Sequence, residues 1–410
     1  RERLHLSFLG LGADDGRPRN PAGPLADLLD TLARFVPPAG VVRPEAGWPW
    51  ESRAPLQPID ATVAGERPAA GEATPSETAL PSFDALVAFY RDPARHALRD
   101  LAGVRLDALD DDRLDDSEPL EPKADPREAM ARGLVFATLE QAAEAPPEIP
   151  PEALQLGGRL PPGTLGDQLW RTQRAEAMTS LKALRNAALK PCEPLSPPRT
   201  VPVSVPLGDG LPLDGRVEVR EDAEGTLWLI EAAPGRNSDR LHFGRRLPLL
   251  LRWLALRLTQ PAPVRVALVG TKLDALGERL AGLDDAFLAS TDTDARAVQV
   301  ASFQKTLRHA IAFRAAVLRD ERRYAPATSW AACRSGADAP DTIIAAWAGG
   351  ARVIGERDYA PGYAALWGQD WHFVPGEGEI DRFVTDAKAL VEGFGLLLGD
   401  ATRDDDEGAA

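Results

Sequence analysis

Two glutamates raise the first chemical question. Glu231 closes the apolar run of WLIEAAPG (Trp228 to Gly235), and Glu218 stands thirteen residues upstream in LDGRVEV. Both runs read as strands, with DAEGT as the hairpin turn between GRVEVRE and LWLIEA. A two-strand hairpin can present carboxylates from neighbouring strands to one divalent ion, which prefers oxygen ligands. Such an ion polarises a phosphate and lowers the pKa of an attacking water. A nuclease site of this kind also needs a lysine two residues past the second acid, and that position is Ala233. Three readings stand open. The site is an active nuclease that borrows an amine such as Lys182 or Lys272, or it is a dead one, or the glutamates are solvated residues at the rim of a sheet.

The elements that would position these acids follow from pattern. The stretch 200–233 reads as strands joined by turns, and VRVALVG (264–270) as a buried strand. Helices are expected over 82–98, with a Ser N-cap and a break at Pro93, and over 126–144, 163–189, 246–259 and 294–320. A last amphipathic helix over 378–398 places Ile380, Phe383, Val384, Ala387, Leu390 and Val391 on one side. Residues 4–36 read as strand, loop and helix, and 37–80 as an extended connector rich in Pro, Ala, Gly and Glu, with Trp48 and Trp50 as anchors. The order implies an α/β or α+β core with helices packed on a mixed sheet.

Composition narrows the function classes. Hydrophobic residues make up 44% of the 410, enough for a sizeable core. The most apolar stretch, LPLLLRWLALRL, carries two arginines, so no membrane span is expected, nor is a signal peptide. The chain opens on Arg1 and not Met, as an excised piece of a longer protein would. Cys192 and Cys333 fit neither a zinc pattern nor a disulfide framework, so a reducing, cytoplasmic setting is expected. The five histidines are scattered, without ligand spacing, and read as structural. A net charge of −15 argues against non-specific nucleic-acid binding, yet the charge is uneven. Residues 106–121 are strongly acidic, whereas 236–257 hold six arginines against one Asp239.

Other motifs are weaker. VALVGTKLD (266–274) resembles a guanine-reading strand, but no Gly-Lys dipeptide exists for a phosphate loop, so a core strand followed by a helix cap is expected. No GxSxG elbow is present. Trp347, Tyr359, Tyr363, Trp367 and Trp371 cluster near the C-terminus, which reads as core packing.

Several stretches, in order, resemble successive blocks of the RecC family. They are SFDALVAFYRDPARHALRDLAGVRL, DSEPLE, GGRLPPGTLG, and the hairpin followed by DRL and WLALRL. LHLSFLGLGADDGRPRNPAGPLADLLDTL resembles the tail of the helicase-like region before those blocks, and WAGGARVIGERDYAPGYAALWG the C-terminal blocks. The series is specific, although no single block is. RecC chains are gamma subunits of exodeoxyribonuclease V, the RecBCD helicase-nuclease, and are much longer, so the resemblance is to their C-terminal part.

That resemblance implies an α/β fold: a degenerate PD-(D/E)XK restriction-endonuclease-like domain over 81–405, related to the RecB nuclease. The end of a helicase-like domain (1–36) and the Pro-rich connector (37–80) would precede it. Active relatives carry Gly-x-Ile-Asp, then Asp-Tyr-Lys thirteen residues after the first Asp. Here Gly215, Val217 and Glu218 fall on the first motif, and Glu231, Ala232 and Ala233 on the second. Relatives also carry a metal-binding His where this chain has Gly166. The frame remains while lysine and histidine are missing, so no metal, no cofactor and no catalysis are expected. The implied role is a non-catalytic subunit segment that holds RecB-like and RecD-like subunits, helps part the duplex and channels single strands. Its partners would be those subunits, double-stranded DNA ends and single-stranded DNA. Chi recognition is expected mostly outside this chain. Arg236, Arg240, Arg245 and Arg246 are the expected DNA-facing or subunit-facing residues, against the alternative of a solvated helix approach.

Overall fold

A computed structural model of the chain describes residues 80–98, 124–151, 154, 160–161, 163–187, 194–207, 212–237, 241–336, 339–350, 354–359, 362–363 and 378–398. The expected helicase-like tail (1–36), nearly all of the connector (37–80), the acidic stretch 106–121, Cys192, Arg240, Trp367 and Trp371 lie outside these residues.

Helix α1 (Phe83–Arg91) begins where Ser82 accepts a hydrogen bond from the Ala85 amide at 3.1 Å. It stops at Asp92, whose side chain accepts from the Arg95 amide and starts the short α2 (Pro93–His96). The break thus falls at the expected proline, because a ring at that position cannot donate into the helix behind it. Helices α3 (Ala124–Glu140) and α4 (Thr164–Ala187) follow, then strands β1 (Arg199–Val205), β2 (Leu213–Glu221) and β3 (Leu227–Ala232). Helix α5 (Phe243–Thr259) leads to β4 (Val264–Val269) and α6 (Leu276–Ala289).

The four strands form one mixed sheet in the order β1-β2-β3-β4, antiparallel except for the parallel β3–β4 pair. Pattern and burial agree along β1, where Val201, Val203 and Val205 point inward and are paired with Val217, Gly215 and Leu213. The DAEGT turn forms as read. Asp222 Oδ1 accepts from the amides of Glu224 and Thr226, and Gly225 takes a φ of 82°. Strands β3 and β4 bury both faces, which is why they read as unbroken apolar runs. Leu227, Leu229, Val264, Val266 and Leu268 enter the larger core beside α5. Trp228, Ala232, Ala267 and Val269 enter a second core with Trp170, Ala177, Leu181 and Leu184 of α4. The sheet is therefore a middle layer, with α5 on one face and α3 and α4 on the other.

The remaining helices are α7 (Thr293–Leu318), α8 (Pro326–Ser335), α9 (Pro340–Ala348), α10 (Glu356–Tyr359) and α11 (Glu379–Phe394). Phe383, Val384, Ala387 and Leu390 of α11 are buried, as the periodicity predicts, while Ile380 and Val391 are partly so. Trp347 and Tyr363 are buried against each other, edge to face at 5.3 Å, which is core packing and not a stacking platform.

Helix α1 crosses β2 closely. A Cβ added at Gly215 would lie 2.6 Å from the Phe83 Cβ, so the first motif position is glycine for reasons of contact. We predict that Gly215→Ala lowers stability by about 1–3 kcal/mol through overpacking. Urea unfolding checks this, and an unchanged midpoint would show that the α1–β2 contact yields freely.

Candidate functional site

Glu231 ends β3 on the face that carries Leu227 and Leu229, toward α5. Its carboxylate is nearly buried and both oxygens are engaged. Oε2 accepts from Arg91 Nη2 at 3.1 Å, and Oε1 accepts from Arg245 Nη1 at 3.0 Å. Arg91 comes from the last turn of α1, and Arg245 from the first turn of α5. Arg245 also donates to Glu128 Oε1 on α3, and Arg236 Nε donates to Glu128 Oε2 at 3.0 Å. The result is a chain of alternating charge, Arg91–Glu231–Arg245–Glu128–Arg236, spanning four elements and the turn after β3. Burial alone raises the Glu128 pKa, but Arg245 and Arg236 outweigh it and hold the carboxyl below its ordinary value.

Glu218 is not part of this chain. It lies between the buried Val217 and Val219, so alternation turns it to the opposite, exposed face of β2. The β2–β3 register, Arg220 opposite Trp228 and Glu221 opposite Leu227, does not set Glu218 directly opposite Glu231. Gly166 lies in the first turn of α4, and a side chain there would collide with the Pro161 carbonyl. It is ten residues from Glu176, the α4 residue that meets Gly235, hence about 15 Å along the helix axis. Ala233 is fully buried in the larger core.

The arginine expectations divide. Arg236 and Arg245 are largely enclosed in the network just described. Arg246 is not a surface residue. It is buried, and its guanidinium grips Asp274 through two hydrogen bonds of 2.8 and 2.5 Å, donates to the Leu241 carbonyl and lies 4.5 Å over the Trp330 ring. The correction has a geometric cause: consecutive residues of a helix point about 100° apart, so Arg245 and Arg246 cannot both face one surface. The first part of VALVGTKLD is the expected core strand, and Asp274 accepts from the Leu276 amide at the start of α6, although the N-cap position itself, Ala275, has no side-chain cap.

His242 caps α5, with Nδ1 accepting from the Gly244 amide at 3.2 Å. Burial, then Arg245, Arg236 and Arg246, push its pKa down to about 3, so the ring is neutral and structural. Lys182 and Lys272, the amines an active site would have borrowed, line an open groove of about 370 Å³ with Thr179, Asn186, Thr271 and Leu273. Neither is hydrogen-bonded to Glu231, whose oxygens accept from arginines.

A divalent ion does not fit this donor set. Guanidinium groups occupy the Glu231 oxygens, Glu218 faces elsewhere, and among the described residues no three His, Cys, Asp or Glu side chains converge to hold a metal. Sequence reasoning missed Glu128 and Arg91, which take part in three of the network's four links. Nothing in the local pattern marks either, since both partners come from distant parts of the chain. Among the described residues, no helix is long and apolar enough to cross a membrane.

No curated protein matches the chain. The family model for the RecC C-terminal domain matches residues 78–337, more than half of the chain, and spans every element of the sheet and the whole arginine–glutamate network. The chain belongs to the RecC family.

Proposed function

We propose that this chain is a non-catalytic segment of a RecBCD-type helicase-nuclease acting in DNA repair and recombination. Its fold is a degenerate PD-(D/E)XK domain that holds RecB-like and RecD-like subunits and contacts forked or single-stranded DNA. Family membership supports the subunit role. The order α4, three antiparallel strands, α5 and a strand parallel to β3 supports the nuclease-like ancestry. One observation carries the non-catalytic reading: the acid that would ligate a metal is held from both sides by Arg91 and Arg245. A nuclease of this design also needs an amine beside that acid, and Ala233 supplies none. Each missing positioned group typically costs about 100-fold to 10,000-fold in rate.

The test is a nuclease assay on the highly purified chain, with Mg²⁺ or Mn²⁺ and linear duplex or single-stranded DNA. No release of nucleotides is expected. Metal-dependent exonuclease activity that disappears in Glu231→Gln would overturn the reading. Retained binding of the RecB-like and RecD-like subunits without any DNA binding would reduce the role to assembly alone.

A further inference from the structure

We infer that Arg91 and Arg252 form a metal-free seat for one phosphate of a nucleic-acid backbone, at the place where β2 and β3 diverge beside α5. This rests on the DNA-binding reading above and names its site. The β2–β3 pairing is confined to the two residue pairs next to the hairpin turn, and α5 packs against β3. Arg245 and Arg252 are seven residues apart on α5 and share one face. Arg245 is committed to Glu231 and Glu128. Arg252, by contrast, makes no hydrogen bond or ion pair with any described residue.

The Arg252 nitrogens have no acceptor among the described residues and are not among the fully buried polar atoms, so they are open to an anion that offers a charge-assisted partner. Arg252 is half-buried. Burial first, then the neighbouring Arg91, lowers its pKa, while Glu231, Glu218 and Asp84 act in the other direction from beyond hydrogen-bond range. Glu231 cannot turn to Arg252 without releasing Arg91 or Arg245. Glu218 is exposed on β2 and acts on Arg252 only through its charge, and the Asp84 carboxylate accepts from the Arg216 amide. Arg91 offers the second cation. Its side chain is 49% exposed even though Glu231 fixes one amino group, so donors remain free to face solvent. A phosphate diester accepts planar, forked donors well, which favours arginine over lysine at such a place. On this view Glu231 survives to aim arginines, and those supply the positive charge that a metal gives in an active nuclease.

The experiment is fluorescence anisotropy of the full chain with a labelled single strand, in EDTA, across a salt series. Binding by the parent chain is expected to persist in EDTA. The double variant Arg91→Ala/Arg252→Ala should weaken it about tenfold or more, and flatten the dependence of log K on log salt by about one to two units. Arg252→Lys keeps the charge but not the fork, so it should lose less affinity than Arg252→Ala while leaving the salt slope near that of the parent, a pattern that misfolding would not give. Glu218→Gln removes a competing negative charge and should tighten binding about twofold. Affinity and salt slope unchanged in the double variant would overturn this site while leaving DNA binding intact. A loss seen instead with Lys182→Ala/Lys272→Ala would move the contact to the groove on the other face. No binding by the parent chain under any salt condition would overturn the DNA-binding reading together with the site.

Discussion

Asp284→Ala is expected to lower the stability of the fold by about 3–5 kcal/mol, the usual cost of stranding one partner of a buried ion pair. Arg257 on α5 and Asp284 on α6 are both fully buried, and Arg257 Nη1 donates to Asp284 Oδ1 at 2.7 Å. The other carboxylate oxygen accepts from the Val264 amide at 3.0 Å and from Arg265 Nη1 at 3.2 Å. Asp284 therefore ties the first residue of β4 to both flanking helices. Arg257 is held further by the carbonyls of Gln260 and Ala262, and lies 5.0 Å over the Phe287 ring. Without the carboxylate, a guanidinium with no route to water keeps its charge and loses its counter-ion. The neighbouring Asp285 sets the contrast. It pairs with Arg265 at 2.6 Å but is mostly exposed, so Asp285→Ala should cost less than about 1 kcal/mol. Urea unfolding of the two variants measures the difference. A similar midpoint for both would show that burial does not govern this pair. Replacing Arg257 and Asp284 together by Met and Leu should recover part of the loss, since no charge is then stranded, but not all of it, because the Val264 amide and the Gln260 and Ala262 carbonyls lose their partners.

The same arginine run shows where sequence reading stopped. Arg246 and Arg257 are eleven residues apart, close to three whole turns, and both face inward; Arg245 and Arg252 share a different face. The run read as one basic surface because the acids that bury its members lie far along the chain. Asp274 is 28 residues from Arg246, and Asp284 is 27 from Arg257. The strands, the DAEGT turn and the face of α11 were legible because each rests on a period or a turn set by adjacent residues. The two glutamates, and the alanine two residues past the second, were legible as residue types. Their geometry was not. How Glu218 and Glu231 lie relative to each other depends on the register of β2 against β3, which no local pattern in the sequence fixes. Helices α8 and α9 carried no readable signal, because segments of ten and nine residues, with alanines on several sides, are too short to show a clear helical period.

Raising the pH should weaken the fold through one further buried acid, Glu356. The N-cap residue of α8, Ala325, offers no side-chain oxygen to the first amides of the helix. Glu356 replaces it from across the chain. Oε1 accepts from the Ala327 amide at 3.0 Å, and Oε2 from the Thr328 amide and hydroxyl, each at 2.8 Å. Burial raises its pKa from the ordinary 4.5 to about 7, against the pull of those donors, and the nearby Asp92 adds to the rise. The folded chain then holds a proton that the unfolded chain has already lost. Stability from this group is full below about pH 4.5, falls as pH climbs toward 7 and is flat above that. Glu356→Gln cannot ionise. The stability difference between variant and parent should shift by about 2–3 kcal/mol in favour of the glutamine between about pH 5 and about pH 8, at roughly 1.36 kcal/mol per pKa unit. Taking the difference cancels the titration of every group common to both proteins. A difference that stays constant with pH would mean that the three donors at the head of α8 keep Glu356 ionised in the folded state, and that α8 is capped by a carboxylate at neutral and mildly acidic pH alike.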